Sequence, residues 1–541
     1  MSKKIAFDEE MRRSLMKGVN VAVDAVAQTL GPAGRTVLIE ESYGPATVTR
    51  DGVTVAKAID LKDPLENMGA QLIKNIASQT DDNVGDGTTT SSVLAKAILT
   101  EGIKAVDAGC NPIKIRNGMN AAVDDVVAEL RLESQEIESK DQIARVATIS
   151  ANNDPTIGNL IADAIEKVGS DGVITVGESK STETYIDFVE GMCFDRGYIS
   201  PYFCTNRETL AVEFNNPLIL VTDKKLASIQ EFMPVLEKVH QTGKQLLIIA
   251  PEVEGDLLTT LVVNTLRGML QVCAVKAPGF GDRQKDMLED IAILTGAQMV
   301  KDDLGMDIKA TTLDMLGSAD SVKITKDDTT IVGGSGDPNN IEARVESLRR
   351  DIANASSDYD KEKIQERLAR LAGGVAVINI GDISEAAAKE KKFRVEDAIN
   401  AVRAAIEEGI VAGGGAALCH ISNKLYENFG DYNADADWVK GYSTVINALT
   451  APIKQIAENA GLSGEVVVNN VSNKPTGEGF DAYTGEYVNM VEAGIIDPTK
   501  VTRCALQNAA SVAALILTSG SAIITIPEPK EQPVPQGMPM M

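Results

Sequence analysis

The sequence predicts a multidomain α and α+β protein in which a mostly helical discontinuous domain, assembled from both ends of the chain, encloses an inserted α/β domain. Three observations carry this. At 541 residues the chain is too long for one hydrophobic core and calls for roughly two to four domains. Apolar residues follow a helical period through about the first 130 residues and again after Gly409. Between about 191 and 374, buried-type apolar runs alternate with helical segments instead.

From Asp8, the residues Met11, Leu15, Val19, Ala22, Val26 and Leu30 recur every three or four positions, a long amphipathic helix that stops at Gly31-Pro32. Thr36-Val37-Leu38-Ile39-Glu40 reads as a strand. Ala46 to Arg50 and Val53 to Val55 then flank Asp51-Gly52, a dipeptide suited to a tight hairpin turn, and most such pairs do nothing chemical. Helical patterns continue from Leu65 to about Ser78 and, with short interruptions, from Thr88 to about Leu132.

The organising stretch is Val84-Gly85-Asp86-Gly87-Thr88-Thr89-Thr90-Ser91-Ser92, followed by Val93, Leu94, Ala97, Ile98, Ile103 and Val106 at helical spacing. A flexible loop therefore runs into a helix N-terminus, whose unpaired N–H groups and positive partial charge suit phosphate oxygens. The threonine hydroxyls add donors, and Asp86 between glycines suits a hard cation such as Mg2+. An ordinary N-cap is the alternative reading of the same residues.

Asp171-Gly172-Val173-Ile174-Thr175-Val176 turns the pattern to strands, and Leu218 to Thr222, Leu246 to Ala250 and Val272 to Lys276 read as buried strands separated by helices. In the helix from about Glu254 to Gly268, residues Leu257, Leu258, Leu261, Val262, Val263 and Leu266 cover an arc of roughly 240°, wider than a one-sided surface helix requires. Burial between two layers and a face left for a partner both account for that arc. Ile341, Val345, Leu348, Ile352, Ile364, Leu368 and Leu371 form an αα-hairpin around Ser356-Ser357-Asp358, ended by Gly373-Gly374. After strand Val375 to Ile380, a helix from about Ile383 to Glu408 carries Asp397.

Gly413-Gly414-Gly415 marks a close backbone approach or sharp bend. The rest is helical to about Ser519 except for strand-like residues near Phe480 to Asn489. The Pro- and Met-rich tail, 527–541, has no core-forming period and is expected to be disordered.

A formal charge of −26 without a long basic run disfavours a duplex-binding surface. Aromatics are 4% of residues with one tryptophan, Trp438, so the cores must be aliphatic and alanine-rich. Six scattered cysteines form no CxxC pair, and the N-terminus turns acidic within ten residues, so a reducing, cytoplasmic setting without a secretory signal or membrane span is expected. His240 and His420 lie far apart in sequence, which weakens a Ser-His-Asp triad, and no GxxxxGK[ST] is present. The remaining chemistry is a set of aspartates, Asp51, Asp86 and Asp397. With a bound metal they suit phosphoryl transfer, to water or to a small molecule, although no kinase motif accompanies them.

Gly85-Asp86-Gly87-Thr88-Thr89-Thr90, together with Ala404-Ala405-Ile406-Glu407-Glu408-Gly409-Ile410-Val411-Ala412-Gly413-Gly414-Gly415, resembles the signature pair of the group I, GroEL-type chaperonins. The likeness extends from about Ser2 to Ile526, including Val275 to Arg283 and Asp497-Pro498-Thr499-Lys500-Val501. It implies an ATP-driven folding chamber, a homo-oligomer of two stacked seven-membered rings that takes unfolded polypeptides and a small heptameric co-chaperonin lid. It also implies an equatorial ATPase domain (1–132 and 409–526), a small α/β intermediate domain (133–189 and 375–408) and an apical domain (190–374), with hinges at Gly191, Gly374 and Gly409.

Carried over by motif, Thr29, Leu30, Gly31, Pro32 and Asp86, Gly87, Thr88, Thr89, Thr90 should hold the phosphates of ATP, with Asp86 on Mg2+ and Thr29 near K+. The resemblance puts Gly414 on the nucleotide, Asp497 on the ribose and Asp481-Ala482-Tyr483 beside the base. Asp51 and Asp397 should orient the attacking water, Asp397 arriving with a swing of the intermediate domain. Tyr198, Tyr202, Phe203, Met233, Leu236, Leu258, Val262 and Val263 match positions that bind clients and lid. The chain departs from the pattern at Arg50, a nucleotide-site position where lysine is usual; at Gln135-Glu136, where a hinge proline is missing; and in the tail, which lacks Gly-Gly-Met repeats.

Overall fold

A computed structural model describes residues 3–40, 46–137, 139–169, 173–179, 181–189, 191–206, 209–354, 358–372, 374–427 and 435–525. The chain divides into two compact units, Met1–Asp163 with Asp382–Met541, and Ala164–Gly381.

The first unit is a helical assembly. Helices Asp8–Ala27, Pro64–Val84, Thr88–Asp107, Pro112–Glu133, Ala436–Ala448 and Thr499–Thr518 pack around one core that includes Leu94, Ile98, Leu99, Met119, Val445, Leu506 and Ala513. Alanine and glycine let these helices approach closely. A methyl group on Gly18 would overlap the Glu66 carbonyl, and one on Gly69 the Leu15 carbonyl, so Asp8–Ala27 and Pro64–Val84 meet backbone to backbone. Thr499–Thr518 is long and apolar enough to cross a bilayer, but 67% of its most apolar window is buried, mainly against Thr88–Asp107 and Pro112–Glu133, which makes it a core helix.

Two local readings of the sequence change. Strand Val37–Ile39 does pair with Thr47–Thr49. Asp51-Gly52, however, is not a hairpin turn: Asp51 is the N-cap of helix Gly52–Ala58, so Val53 to Val55 are helical. Its carboxylate accepts the amides of Val53 (3.1 Å) and Thr54 (2.9 Å), a capping geometry that outweighs the strand preference of two valines. The chain ends also form an unanticipated pair, with strand Lys3–Phe7 antiparallel to Ser521–Thr525 and Ile5 opposite Ile523.

The second unit holds an α/β sheet. Its strands run Val272–Lys276, Leu246–Ala250 and Leu218–Val221 in parallel, then Gly317–Ile324, Thr329–Gly334 and Gly191–Phe194 in antiparallel pairing, with Val212–Asn215 also on Gly317–Ile324. The parallel strands are buried almost throughout, as their continuous apolar runs predict. A second, three-stranded sheet joins Val375–Ile380 to Val173–Glu178 and Tyr185–Val189. Helices Pro338–Asn354 and Asp358–Ala372 form the expected αα-hairpin, fastened where Asp290 accepts Arg344 Nε (2.7 Å) and Arg367 Nε (2.8 Å). The hairpin's turn at Ser356-Ser357 and the tail 527–541 lie outside the described residues.

Candidate functional site

Within the first unit, segments from distant parts of the sequence enclose a cavity of about 300 Å³. Thr29-Leu30-Gly31-Pro32, Arg50, Asp51, Asp86 to Thr90, Asp397, Gly414, Asp481, Ala482 and Asp497 all line it. Tyr483 does not; its side chain is 80% exposed.

One wall is the start of helix Thr88–Asp107. Gly87 caps it at φ 77° with no side-chain cap, so the first-turn amides of this 20-residue helix face the cavity without a side-chain acceptor. Val501 Cγ1 would lie 2.6 Å from a Cβ at Gly87, which keeps that position a glycine. The Thr29 hydroxyl donates to the Val26 carbonyl (2.9 Å) and lies 3.2 Å from the Thr89 hydroxyl. Having spent its proton, Thr29 accepts from Thr89, and this bond joins two segments 60 residues apart. Asn459 holds the Thr29–Pro32 turn in place by donating to the carbonyls of Ala27 (2.8 Å) and Leu30 (2.9 Å).

The lining is also acidic. Asp397 projects from helix Glu385–Glu408, which Ser384 caps through the Ala387 amide. Burial, reinforced by the charges of Asp51, Asp86 and Asp81, holds its carboxyl well above the usual range. Burial also raises Asp86, although Gly87 N–H and the Ser150 hydroxyl oppose it. Asp81 is pushed up to about 6 by burial and by Asp51, and Asp497 to about 7 by burial and by Asp86, against the amides of Gly414 and Gly415. Asp497 sits on strand Ile496–Pro498, paired with Ile410–Ala412, which sets it beside the triple glycine.

The lining carries seven acidic side chains, Asp51, Asp81, Asp86, Glu390, Asp397, Asp481 and Asp497, against two arginines, Arg50 and Arg394. Such an uncompensated set fits a cation. Among the described residues no three His, Cys, Asp or Glu side chains converge to hold a metal alone. An ion such as Mg2+ needs only one or two carboxylates, completing its shell with water and phosphate oxygens, and the lining has carboxylates enough for that.

The hairpin of Glu478–Asp481 and Glu486–Asn489 completes the lining, its turn closed by Asp481 accepting Tyr483 N–H (2.8 Å) and the Thr484 hydroxyl (2.7 Å). His420 Nε2 lies 2.7 Å from the Glu478 carbonyl and fixes the strand against helix Ala416–Glu427. Phe480 and Ala482 supply apolar surface there.

Sequence reading missed Asp81, Ser150, Asn152, Asn153 and Arg394 as lining residues. Tandem Asn152-Asn153, at φ 58° and 60°, was the available signal, because asparagine tolerates the left-handed region where a chain reverses after a helix.

The apolar positions expected to bind clients lie in the second unit and separate into classes. Tyr202, Met233 and Val263 are exposed; Tyr198, Leu258 and Val262 are half-buried. Phe203 and Leu236 are core residues, with no apolar surface to offer, because Phe203 closes the 3-10 turn Pro201–Phe203 inward and Leu236 is on the buried side of helix Ile229–Thr242.

Compared with known proteins, the sequence matches the model of the TCP-1/cpn60 chaperonin family over residues 23–527.

Proposed function

We propose, from the premise that this chain belongs to the TCP-1/cpn60 chaperonin family of ATP-dependent protein-folding chaperones, that it is a group I, GroEL-type subunit. In this reading it works in the cytoplasm as two stacked seven-membered rings closed by a small heptameric lid. The three-domain division, 1–132 with 409–526, 133–189 with 375–408, and 190–374, belongs to the same proposal. Six free thiols suit the reducing compartment.

The observation that carries the ATPase reading is the gathering of Thr29–Pro32, Asp86–Thr90, Asp397, Gly414 and Asp497 around one cavity. The uncapped amides of Thr88–Asp107 and the threonine hydroxyls would bind the phosphates, and Arg50 would add a guanidinium with fork geometry in place of a lysine point charge. Asp86 would hold Mg2+, which when bound neutralises phosphate charge. Thr29 would approach K+. Gly414 would lie against the nucleotide, Asp497 against the ribose, and Asp481-Ala482 against the base.

Asp397 and Asp51 would orient the attacking water. Burial holds the Asp397 carboxyl above the ordinary range, which makes it a stronger base toward that water when ionised. Asp51 keeps a lone pair on Oδ1 beyond the three bonds it accepts, from Val53 N–H on Oδ1 and from Thr54 N–H and the Thr54 hydroxyl on Oδ2.

Clients and lid would bind the exposed and half-buried apolar residues Tyr198, Tyr202, Met233, Leu258, Val262 and Val263. Apolar contact is non-directional and so accepts unrelated unfolded chains.

The test is ATP hydrolysis by the purified particle with and without Mg2+ and a denatured client, combined with electron micrographs with and without nucleotide. Mg2+-dependent turnover by sevenfold rings supports the reading; a monomer that phosphorylates a metabolite overturns it.

A further inference from the structure

We propose that Ser150 is a positioning residue for the metal end of this cavity: its hydroxyl aims the Asp86 carboxylate and ties that aim to the seat of the helix that carries Asp397. The inference rests on the reading of Asp86 as the magnesium ligand.

Asp86 stands between Gly85 at φ 65° and Gly87 at φ 77°, so no neighbouring Cβ restrains it. Among the described residues its carboxylate receives two hydrogen bonds, from Gly87 N–H to Oδ1 (2.5 Å) and from the Ser150 hydroxyl to Oδ2 (3.0 Å). The first comes from the next residue and turns with Asp86's own backbone, so it fixes nothing relative to the rest of the cavity. The second comes from another helix, Lys140–Ser150, 64 positions along the chain. It alone sets the carboxylate against an external frame.

That frame is itself fixed. Asn153 N–H returns to the Thr148 carbonyl (2.8 Å) and Asn152 N–H to the Ile149 carbonyl (3.1 Å), which folds Ile149–Asn153 back along the cavity wall. Helix Lys140–Ser150 packs along helix Glu385–Glu408, and just beyond it Asp154 lies 3.6 Å from Arg394, one turn before Asp397. Ser150 and Asp397 therefore move as parts of one pair of helices, and Asp86 feels that pair through the hydroxyl.

The bond leaves room for the metal. A carboxylate oxygen has two lone pairs, so Ser150 occupies one on Oδ2 and the remainder can face a cation. Hydrogen bonds to a ligating carboxylate from outside the metal's own shell orient it, and their loss typically weakens metal binding.

The experiment is equilibrium binding of a ribose-labelled fluorescent, non-hydrolysable ATP analogue to the assembled full-length protein, titrated with Mg2+. Ser150→Ala is expected to raise the half-saturating Mg2+ concentration about tenfold, while analogue binding without Mg2+ is unchanged and Ser150→Thr, which keeps the hydroxyl, behaves as the parent. Ser150→Cys, a weak donor of similar size, gives the same readout if the alanine variant assembles poorly. Parent-like Mg2+ half-saturation in both Ser150→Ala and Ser150→Cys, with Asp86→Asn losing the Mg2+ response, overturns the inference and leaves the site reading intact. If Asp86→Asn keeps the full Mg2+ response, the reading of Asp86 itself fails and the inference falls with it.

Discussion

The side-chain amide of Asn400 occupies the space where a Cβ of Gly85 would stand. Asn400 is one turn beyond Asp397 on the same helix, and Gly85 immediately precedes Asp86, so this contact brings the helix that carries Asp397 against the loop that carries Asp86. Gly85 is also at φ 65°, which disfavours any side chain.

Gly85→Ala should therefore act twice. Strain at a positive φ costs about 1–2 kcal/mol, and the new methyl group pushes helix Glu385–Glu408 away from the loop. We expect a lower unfolding temperature and slower ATP turnover. Adding Asn400→Ala removes the amide but leaves its Cβ 2.7 Å from the new methyl group and leaves the φ strain, so turnover should recover only in part in the double variant while the unfolding temperature stays low. Recovery of both, or of neither, contradicts this division.

Asp397→Ala should bind nucleotide with near-normal affinity yet hydrolyse it about 10²-fold more slowly, the lower end of what a positioned acid-base group supplies. Single-turnover hydrolysis together with analogue binding separates the two effects. Near-normal turnover would return Asp397 to the role of a charged residue on a long helix.

Asp497 makes the stability of the folded chain pH-dependent. Burial and the neighbouring charge of Asp86 push its carboxyl up to about 7 from an ordinary value of 3.8, so between those values the folded state retains a proton that the unfolded state has lost. Stability contributed by this group thus falls as pH rises from 3.8 and reaches its full penalty above about 7. Asp497→Asn should raise the unfolding temperature of the nucleotide-free protein at pH 8, and the gain should shrink toward pH 4. Scanning calorimetry of both proteins across that range checks the sign; a gain independent of pH would trace the effect to packing.

How much of this was legible in sequence depended on whether the determining contact is local. Asp86 to Thr90 could be read because a helix start and its glycine hinge lie within a few residues, and Thr29 to Pro32 because a helix stops there. Their union through the Thr29–Thr89 bond could not, since nothing in either segment names the other. Asp51-Gly52 was ambiguous in principle, as the same dipeptide serves a tight turn or a helix cap. Here both Asp51 oxygens cap the helix, with the Thr54 hydroxyl adding a third bond at 2.5 Å. Strands Lys3–Phe7 and Ser521–Thr525 are each too short to show a period and are defined only by each other. The burial of Phe203 and Leu236 was equally hidden, because an apolar side chain has the same signature on a core face and on a binding face.

That last ambiguity is resolved residue by residue along helix Gly255–Leu266, and it yields a paired prediction. Leu257 and Leu261 are fully buried, whereas Val263 is 37% and Leu266 57% exposed. Leu257→Ala opens a cavity beside the parallel strands and should cost about 2–5 kcal/mol. Val263→Ser removes apolar surface already in contact with water, so its effect on stability should stay within about 1 kcal/mol, well below the buried substitution. If this face receives unfolded chains, Val263→Ser should weaken capture of a denatured polypeptide by the nucleotide-free particle and leave ATP-analogue affinity unchanged. Thermal unfolding and client capture, measured on both variants, distinguish the alternatives: a loss of stability in Val263→Ser equal to that of Leu257→Ala would make Val263 part of the core, and unimpaired capture would remove it from the binding face. The contrast between two residues six positions apart on one helix is what allows a wide apolar arc to seal the sheet on one side and present a greasy surface on the other.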